Sequence, residues 1–273
     1  MSVLRMDRNQ GGAGPARLIM PYPQASPEQI AFFREHGWIV VEDAIPQGDL
    51  DELEAQCEVL IREKDKLAND WAWSDKEDLK DRSFRIIQSS PSFVWKEIKE
   101  QAYRKWLLSF GNALMGMELS YWYDQFLAKP PGKSVPTYWH QDEGYWGRNL
   151  NDKGVTGWIP LQDVDAANGC MHFIDRGHRD GVLPHHLVEG MKSDLLTCDV
   201  DESRRVVCPI SRGDVTFHHS KTPHMTNANT SSGWRKAVTN HMQQVGAGGE
   251  GDHYPWKIYV NQRTGERTVP ASR

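Results

Sequence analysis

The chain has 273 residues, with 32 Lys+Arg against 37 Asp+Glu and a formal charge of −5. With 25% charged and 38% hydrophobic residues, it reads as an ordinary globular protein whose core needs no disulfide or metal staple. The numbers exclude more than they assign: no apolar run approaches the ~20 residues of a membrane span, and no Lys/Arg block marks nucleic-acid binding.

Residues 1–24 carry Arg5, Arg8 and Arg17 without periodicity or an apolar stretch. They read as a loose N-terminal extension and not as a secretory signal. Helix signals begin at Ser26-Pro27-Glu28-Gln29, where Ser26 caps, Pro27 suits the first turn and Gln29 completes a capping box. That helix stops at Gly37, and Trp38–Val41 reads as a short strand. Leu50, Leu53, Cys57, Leu60 and Ile61 share one face of a second helix. Phe93, Val94, Trp95, Ile98, Ala102, Trp106 and Leu107 mark a third.

Near residue 118 the character changes to short β-type runs broken by turns. Leu119–Leu127, Gly157–Leu161, Cys170–Ile174, Val215–His218 and Lys236–Met242 are the clearest, with turns at Asn168-Gly169 and Gly213-Asp214. Lys129-Pro130-Pro131-Gly132-Lys133 reads as a turn or a lid loop. Helices followed by many strands predict an α+β, mainly β, domain: a sandwich or jelly roll with the helices packed outside. The last 22 residues hold a hairpin signal around Thr264-Gly265. The four cysteines, Cys57, Cys170, Cys198 and Cys208, form no C-x-x-C pair and read as reduced thiols of a cytoplasmic protein.

Eleven histidines need sorting. His172, His178, His185 and His186 fall in a turn-rich stretch and read as surface or hydrogen-bonded groups. Tyr138-Trp139-His140-Gln141-Asp142 differs. In an extended segment, residues i and i+2 point the same way, so His140 and Asp142 present an imidazole and a carboxylate to one metal. A second His would complete the 2-His-1-carboxylate set that leaves positions open on non-haem iron. Gly213–His224 offers His218, His219 and His224. Eleven residues beyond His224 stands Arg235, whose guanidinium fork pairs bidentately with a carboxylate.

These spacings resemble the phytanoyl-CoA dioxygenase family of Fe(II)/2-oxoglutarate oxygenases. The matching features are His140-Gln141-Asp142, Trp158 eighteen residues past the first His, and Asp165-Ala166-Ala167-Asn168-Gly169-Cys170. Arg176-Gly177-His178 stands where the family has G-S-H, without the Ser. Gly213-Asp214, His224, Asn229 and Arg235 follow, and His36-Gly37-Trp38 resembles the family's start. The resemblance covers roughly residues 25–245, within one oxygenase domain over 1–273 that ends in a C-terminal extension, 246–273.

The resemblance implies a double-stranded β-helix, or cupin-like, core. It implies His140, Asp142 and His224 as iron ligands, leaving His218 and His219 to packing or support. Arg235 and Thr226 would meet 2-oxoglutarate, with Trp158 nearby, and Arg85 lies where some members place a basic co-substrate contact. With Fe(II) as the bound metal, 2-oxoglutarate and O2 would be consumed together to give succinate, CO2 and an oxidised small molecule, by default a hydroxylated one. Halogenating relatives replace the ligand carboxylate with a small residue; Asp142 disfavours that outcome. Tyr138, Trp139, Tyr145 and Trp146 suggest an apolar or ring-bearing substrate face, and Arg148 a partner for an anionic group. A metal-dependent hydrolase or isomerase on the same barrel, and a non-catalytic barrel protein, are the alternatives. Neither a nucleic-acid nor a membrane partner is expected, and the sequence leaves the oligomeric state open.

Overall fold

Two antiparallel sheets, of seven and four strands, face each other in a double-stranded β-helix. The structure, a computed structural model, describes residues 22–63, 69–70, 86–132, 134–146, 154–189, 196–246, 259–260 and 267–268. The large sheet runs β1 (Trp38–Val41), β11 (Val215–His219), β6 (Gly154–Pro160), β13 (Arg235–Gln244), β4 (Leu119–Lys129), β3 (Ile87–Ser89) and β2 (Asn69–Asp70). The small sheet runs β10 (Arg205–Cys208), β7 (Met171–Ile174), β12 (His224–Thr226) and β5 (Thr137–His140). Two ribbons remain, β8 (His185–Leu187) with β9 (Leu196–Cys198) and β14 (Tyr259–Val260) with β15 (Arg267–Thr268). The second flanks the hairpin signal at Thr264-Gly265, and those two residues lie outside the described ones.

The helices are α1 (Pro27–His36), α2 (Gln47–Arg62), α3 (Pro91–Val94), α4 (Ala102–Met115) and α5 (Asp142–Trp146). The capping box forms: the Gln29 amide donates to Ser26 Oγ at 3.2 Å, and the Ser26 amide donates to Gln29 Oε1 at 2.9 Å. Gly37 ends α1 at φ +79°, where only glycine is unstrained. The third predicted helix is in fact three pieces: α3, a 3-10 turn over Lys96–Glu100, and α4. Trp95 and Gln101 are extended at the joints, and the intervening turn buries Ile98 completely. Burying side chains three residues apart wins there over a continuous 3.6-residue period. Residues 22 and 23 are also not loose: Tyr22 is buried against the Trp106 ring and bonds Asp49, while Trp106 Nε1 donates to Pro23 O at 2.6 Å.

Strand alternation gives the large sheet two different faces. Against the helices stand Phe126, Val238, Ile159 and Phe217, all 0% exposed, packed with Leu53, Leu107 and Leu114. Phe217 stacks on Phe110 with ring centroids 5.1 Å apart. Each such buried side chain contributes ~1.5–3 kcal/mol. Gly157 permits the approach of α4, since a Cβ there would lie 2.9 Å from Leu107 Cδ2. The alternate residues face the small sheet. Arg235 pairs with Lys129, Thr239 with Gln125 and Trp158, and His241 with Tyr123 and Thr156. Thr216 and His218 continue those rows on β11. The barrel interior therefore carries buried polar rows beside an apolar cluster that includes Trp38, Trp158 and Phe173.

Candidate metal and co-substrate site

On the small sheet, His224 sits directly opposite His140, and their rings are 4.2 Å apart. His140 Nδ1–H donates to Tyr138 O at 2.7 Å, and His224 Nδ1–H donates to Thr222 O at 2.9 Å. A carbonyl only accepts, so each bond fixes the tautomer and leaves a lone pair on Nε2. Asp142 joins them from a different geometry than expected. His140 is the last residue of β5 and Asp142 the first of α5, so a strand-to-helix turn, not an extended i, i+2 relation, brings them together. One ligand atom from each of His140, Asp142 and His224 lies within 4.8 Å of the others.

Burial pushes His140 down to about 4 and His224 well below its ordinary pKa, so both imidazoles are neutral and ready to ligate. Burial alone would raise the Asp142 carboxyl. Electrostatic attraction to His241, contacts from His218 and His241, and the nearby His224 outweigh it and hold the group well below the usual carboxylate range. Two neutral imidazoles and one carboxylate fit a divalent cation with coordination positions left open.

Asp142 is oriented by Thr156 and His241, which the sequence did not flag, and by His218, which it left to packing or support. Thr156 Oγ1 donates to its Oδ2 at 2.5 Å. That hydroxyl proton is then committed, so His241 Nδ1–H donates to Thr156 Oγ1 at 2.9 Å. His218 Nε2 adds a contact to Oδ2 at 3.3 Å. With Oδ2 so engaged, Oδ1 stands 3.7 Å from His224 Nε2. Gln141, between the ligands, is a clamp. Its Nε2 donates to Gly181 O at 2.7 Å and Lys221 O at 2.6 Å, and its Oε1 accepts from the Leu183 amide at 2.7 Å. His185 receives the Gln141 amide on Nε2 at 3.1 Å.

Arg235 is 1% exposed at the other end of the barrel. Its Nη2 reaches Thr226 Oγ1 at 3.5 Å, its Nη1 reaches Leu127 O at 3.4 Å, and its Nε has no hydrogen-bond partner among the described residues. Its guanidinium carbon lies 5.9 Å from the Trp158 ring. Burial pushes it down to about 10. A buried guanidinium with an orphaned donor and no acid beside it fits a carboxylate ligand.

The family model for phytanoyl-CoA dioxygenase (PhyH) matches residues 33–237. The chain belongs to the phytanoyl-CoA dioxygenase family. The human peroxisomal phytanoyl-CoA dioxygenase is 24% identical over 235 residues, covering 79% of this chain and 67% of the human one. Among solved structures, EvdO2 from Micromonospora carbonacea var. aurantiaca, complexed with 2-oxoglutarate, matches with TM-score 0.66 at 24% identity, covering 82% of this chain and 92% of its own. SnoK, a non-heme alpha-ketoglutarate-dependent carbocyclase from nogalamycin biosynthesis, matches with TM-score 0.62 at 26% identity, covering 81% and 84%. The epimerase SnoN, solved with Fe3+, alpha-ketoglutarate and nogalamycin RO, matches with TM-score 0.63 at 21% identity, covering 79% and 82%. The protein is a non-haem iron, 2-oxoglutarate-dependent dioxygenase using Fe(II), 2-oxoglutarate and O2.

The dioxygenase brings together His140, Asp142, His224, Arg235, Thr226 and Trp158, but not every residue named from sequence. Trp139 faces away from the metal site: its Nε1 donates to Glu202 Oε1 at 2.6 Å, and Arg205 lies 6.0 Å over its ring. It sits one strand position from His140, so the pleat turns it to the opposite face. Tyr145 does pack edge-on against His140 at 5.5 Å. Tyr138 is half-buried. Arg85, Arg148 and the Trp146 side chain lie outside the described residues. Lys129, read as part of a turn or lid, is instead 0% exposed inside the barrel. Period-two counting along Leu119–Lys129 was the signal that could have placed it there. All four cysteines are free and buried. Among the described residues, no helix is long and apolar enough to cross a membrane.

Proposed function

We propose that the enzyme oxidises an unactivated C–H bond of a small organic molecule, with hydroxylation the default outcome. His140, Asp142 and His224 hold the iron. Arg235 and the Thr226 hydroxyl receive the far carboxylate of 2-oxoglutarate, and Trp158 walls that end. The single observation that carries the reading is one buried interior holding two neutral imidazoles, an ionised carboxylate and an orphaned guanidinium. Bound iron with 2-oxoglutarate and O2 supplies the oxidising power. The chain's own residues supply placement. Thr156 and His241 fix the carboxylate, Gln141 ties the ligand turn to the 181–183 and 221 segments, and the enclosed barrel limits access of water.

Tyr138, Trp146 and Arg148, which flank the ligand turn in sequence, are our candidates for substrate contact, with an apolar or ring-bearing substrate. Residues 1–273 form one oxygenase domain in this reading, and four free thiols suit the cytoplasm. Ring closure or epimerisation is the second reading, favoured by the likeness to SnoK and SnoN. The first test is anaerobic addition of Fe(II) and then 2-oxoglutarate to the purified protein. A visible charge-transfer band that is lost in His224→Ala and weakened in Arg235→Met is expected. Metal binding without a band would overturn the co-substrate assignment. With a substrate in hand, 18O2 labelling separates the outcomes: hydroxylation carries the label into product, whereas ring closure and epimerisation leave product unlabelled.

A further inference from the structure

Arg235 is not alone at its end of the barrel. Lys129 is its direct cross-strand partner on β4, and both are fully enclosed at 0% and 1% exposure. Lys129 Nζ lies 2.7 Å from Thr226 Oγ1, 3.1 Å from Thr226 O and 2.6 Å from Asn227 O. None of these partners is a carboxylate, and neither cation forms an ion pair with an acid among the described residues. Two buried positive charges side by side are costly without an anion.

The hydrogen-bond arithmetic is specific. An ammonium has three donors and no lone pair, and the three oxygens use all of them. Lys129 therefore has no donor left for a ligand and acts through Thr226. The Thr226 hydroxyl accepts from Lys129 Nζ and, at 3.5 Å, from Arg235 Nη2. With both lone pairs turned to cations, its remaining capacity is to donate its proton.

We propose that Lys129 is a positioning residue for the distal carboxylate of the co-substrate, fixing Thr226 as a hydrogen-bond donor and adding a second positive charge behind it. This rests on the co-substrate reading above. The anion subsite then consists of the Thr226 O–H, the free Arg235 Nε–H and two cations, and it selects a 2-oxo acid that bears a second carboxylate. Burial and the neighbouring Arg235 both push the lysine's pKa well down, so a bound anion also keeps it protonated.

The test compares 2-oxoglutarate with 2-oxopentanoate, which has a methyl group in place of the distal carboxylate. Each is titrated calorimetrically, without oxygen, into the Fe(II)-loaded full chain. Wild type should prefer 2-oxoglutarate strongly. Lys129→Met should lower that preference by roughly 10- to 100-fold, chiefly by weakening 2-oxoglutarate. Thr226→Val should do the same, and the double variant should lose less than the two singles combined, because part of the Lys129 effect passes through Thr226. A Lys129→Met protein with unchanged preference would overturn the proposal. So would equal weakening of both acids, which marks a purely structural lysine. If Lys129→Met does not fold, Thr226→Val alone decides, since it removes only the hydroxyl; unchanged preference there also refutes the proposal. A wild type with no preference at all refutes instead the co-substrate reading on which the proposal stands.

Discussion

The two faces of the large sheet are equally buried and chemically opposite. Phe126, Val238, Ile159 and Phe217 meet the helices and need nothing further. One residue along the same strands, Gln125, Thr239, Thr216 and His218 look into the barrel. There Gln125 Nε2, Thr216 Oγ1, His218 Nδ1 and Arg235 Nε lack hydrogen-bond partners among the described residues. A buried polar atom left unpaired costs ~1–3 kcal/mol. The helix-facing side lowers the free energy of the fold, whereas the inner side holds polar groups ready for a metal and an anion. In this molecule, burial alone does not locate the site; the clustering of metal-ligating and cationic groups on the inner side does.

That contrast can be broken in graded ways. The largest effect belongs to His224→Ala, which should abolish coupled succinate formation and metal-dependent 2-oxoglutarate binding while leaving the melting temperature of the metal-free protein nearly unchanged. Phe217→Ala, on the other face, should do the reverse. It should cost ~3–5 kcal/mol in denaturant unfolding, with metal and 2-oxoglutarate affinities retained wherever the protein is still folded. Arg235→Met should weaken 2-oxoglutarate by about 2–5 kcal/mol, read by anaerobic titration, yet not lower metal-free stability, because it removes an unpaired buried charge. Thr156→Val should reduce iron affinity ~10- to 100-fold by freeing Asp142 Oδ2; an unchanged metal titration would show that His218 and His241 orient the carboxylate without it. Smallest, Ser26→Ala should cost ~1 kcal/mol and leave both affinities alone, a reference for a loss that belongs to neither face.

Much of the site was legible because its spacing is local. His140-Gln141-Asp142 lies within one turn, and His224, Thr226 and Arg235 lie on consecutive strands joined by a short loop. Residues that orient these groups come from farther away. Thr156, His241 and Lys129 each sit in an ordinary-looking strand, and only cross-strand register shows that they reach Asp142 or Thr226. Trp139 shows the opposite error, since nearness in sequence to a ligand did not place it near the site.

The amino-acid sequence by itself determined the α1 capping box, the change from helices to strands near residue 118, the ligand motif and the family. These rest on short-range steric and hydrogen-bonding preferences and on fixed spacings. Only the tertiary structure decided which face of each strand met the helices, which tautomers His140 and His224 adopt, and that Lys129 stands beside Arg235. Those outcomes depend on pairing between strands a hundred or more residues apart, as between Lys129 and Arg235 or Trp38 and His218. A one-residue shift in that pairing would exchange the polar face for the apolar one.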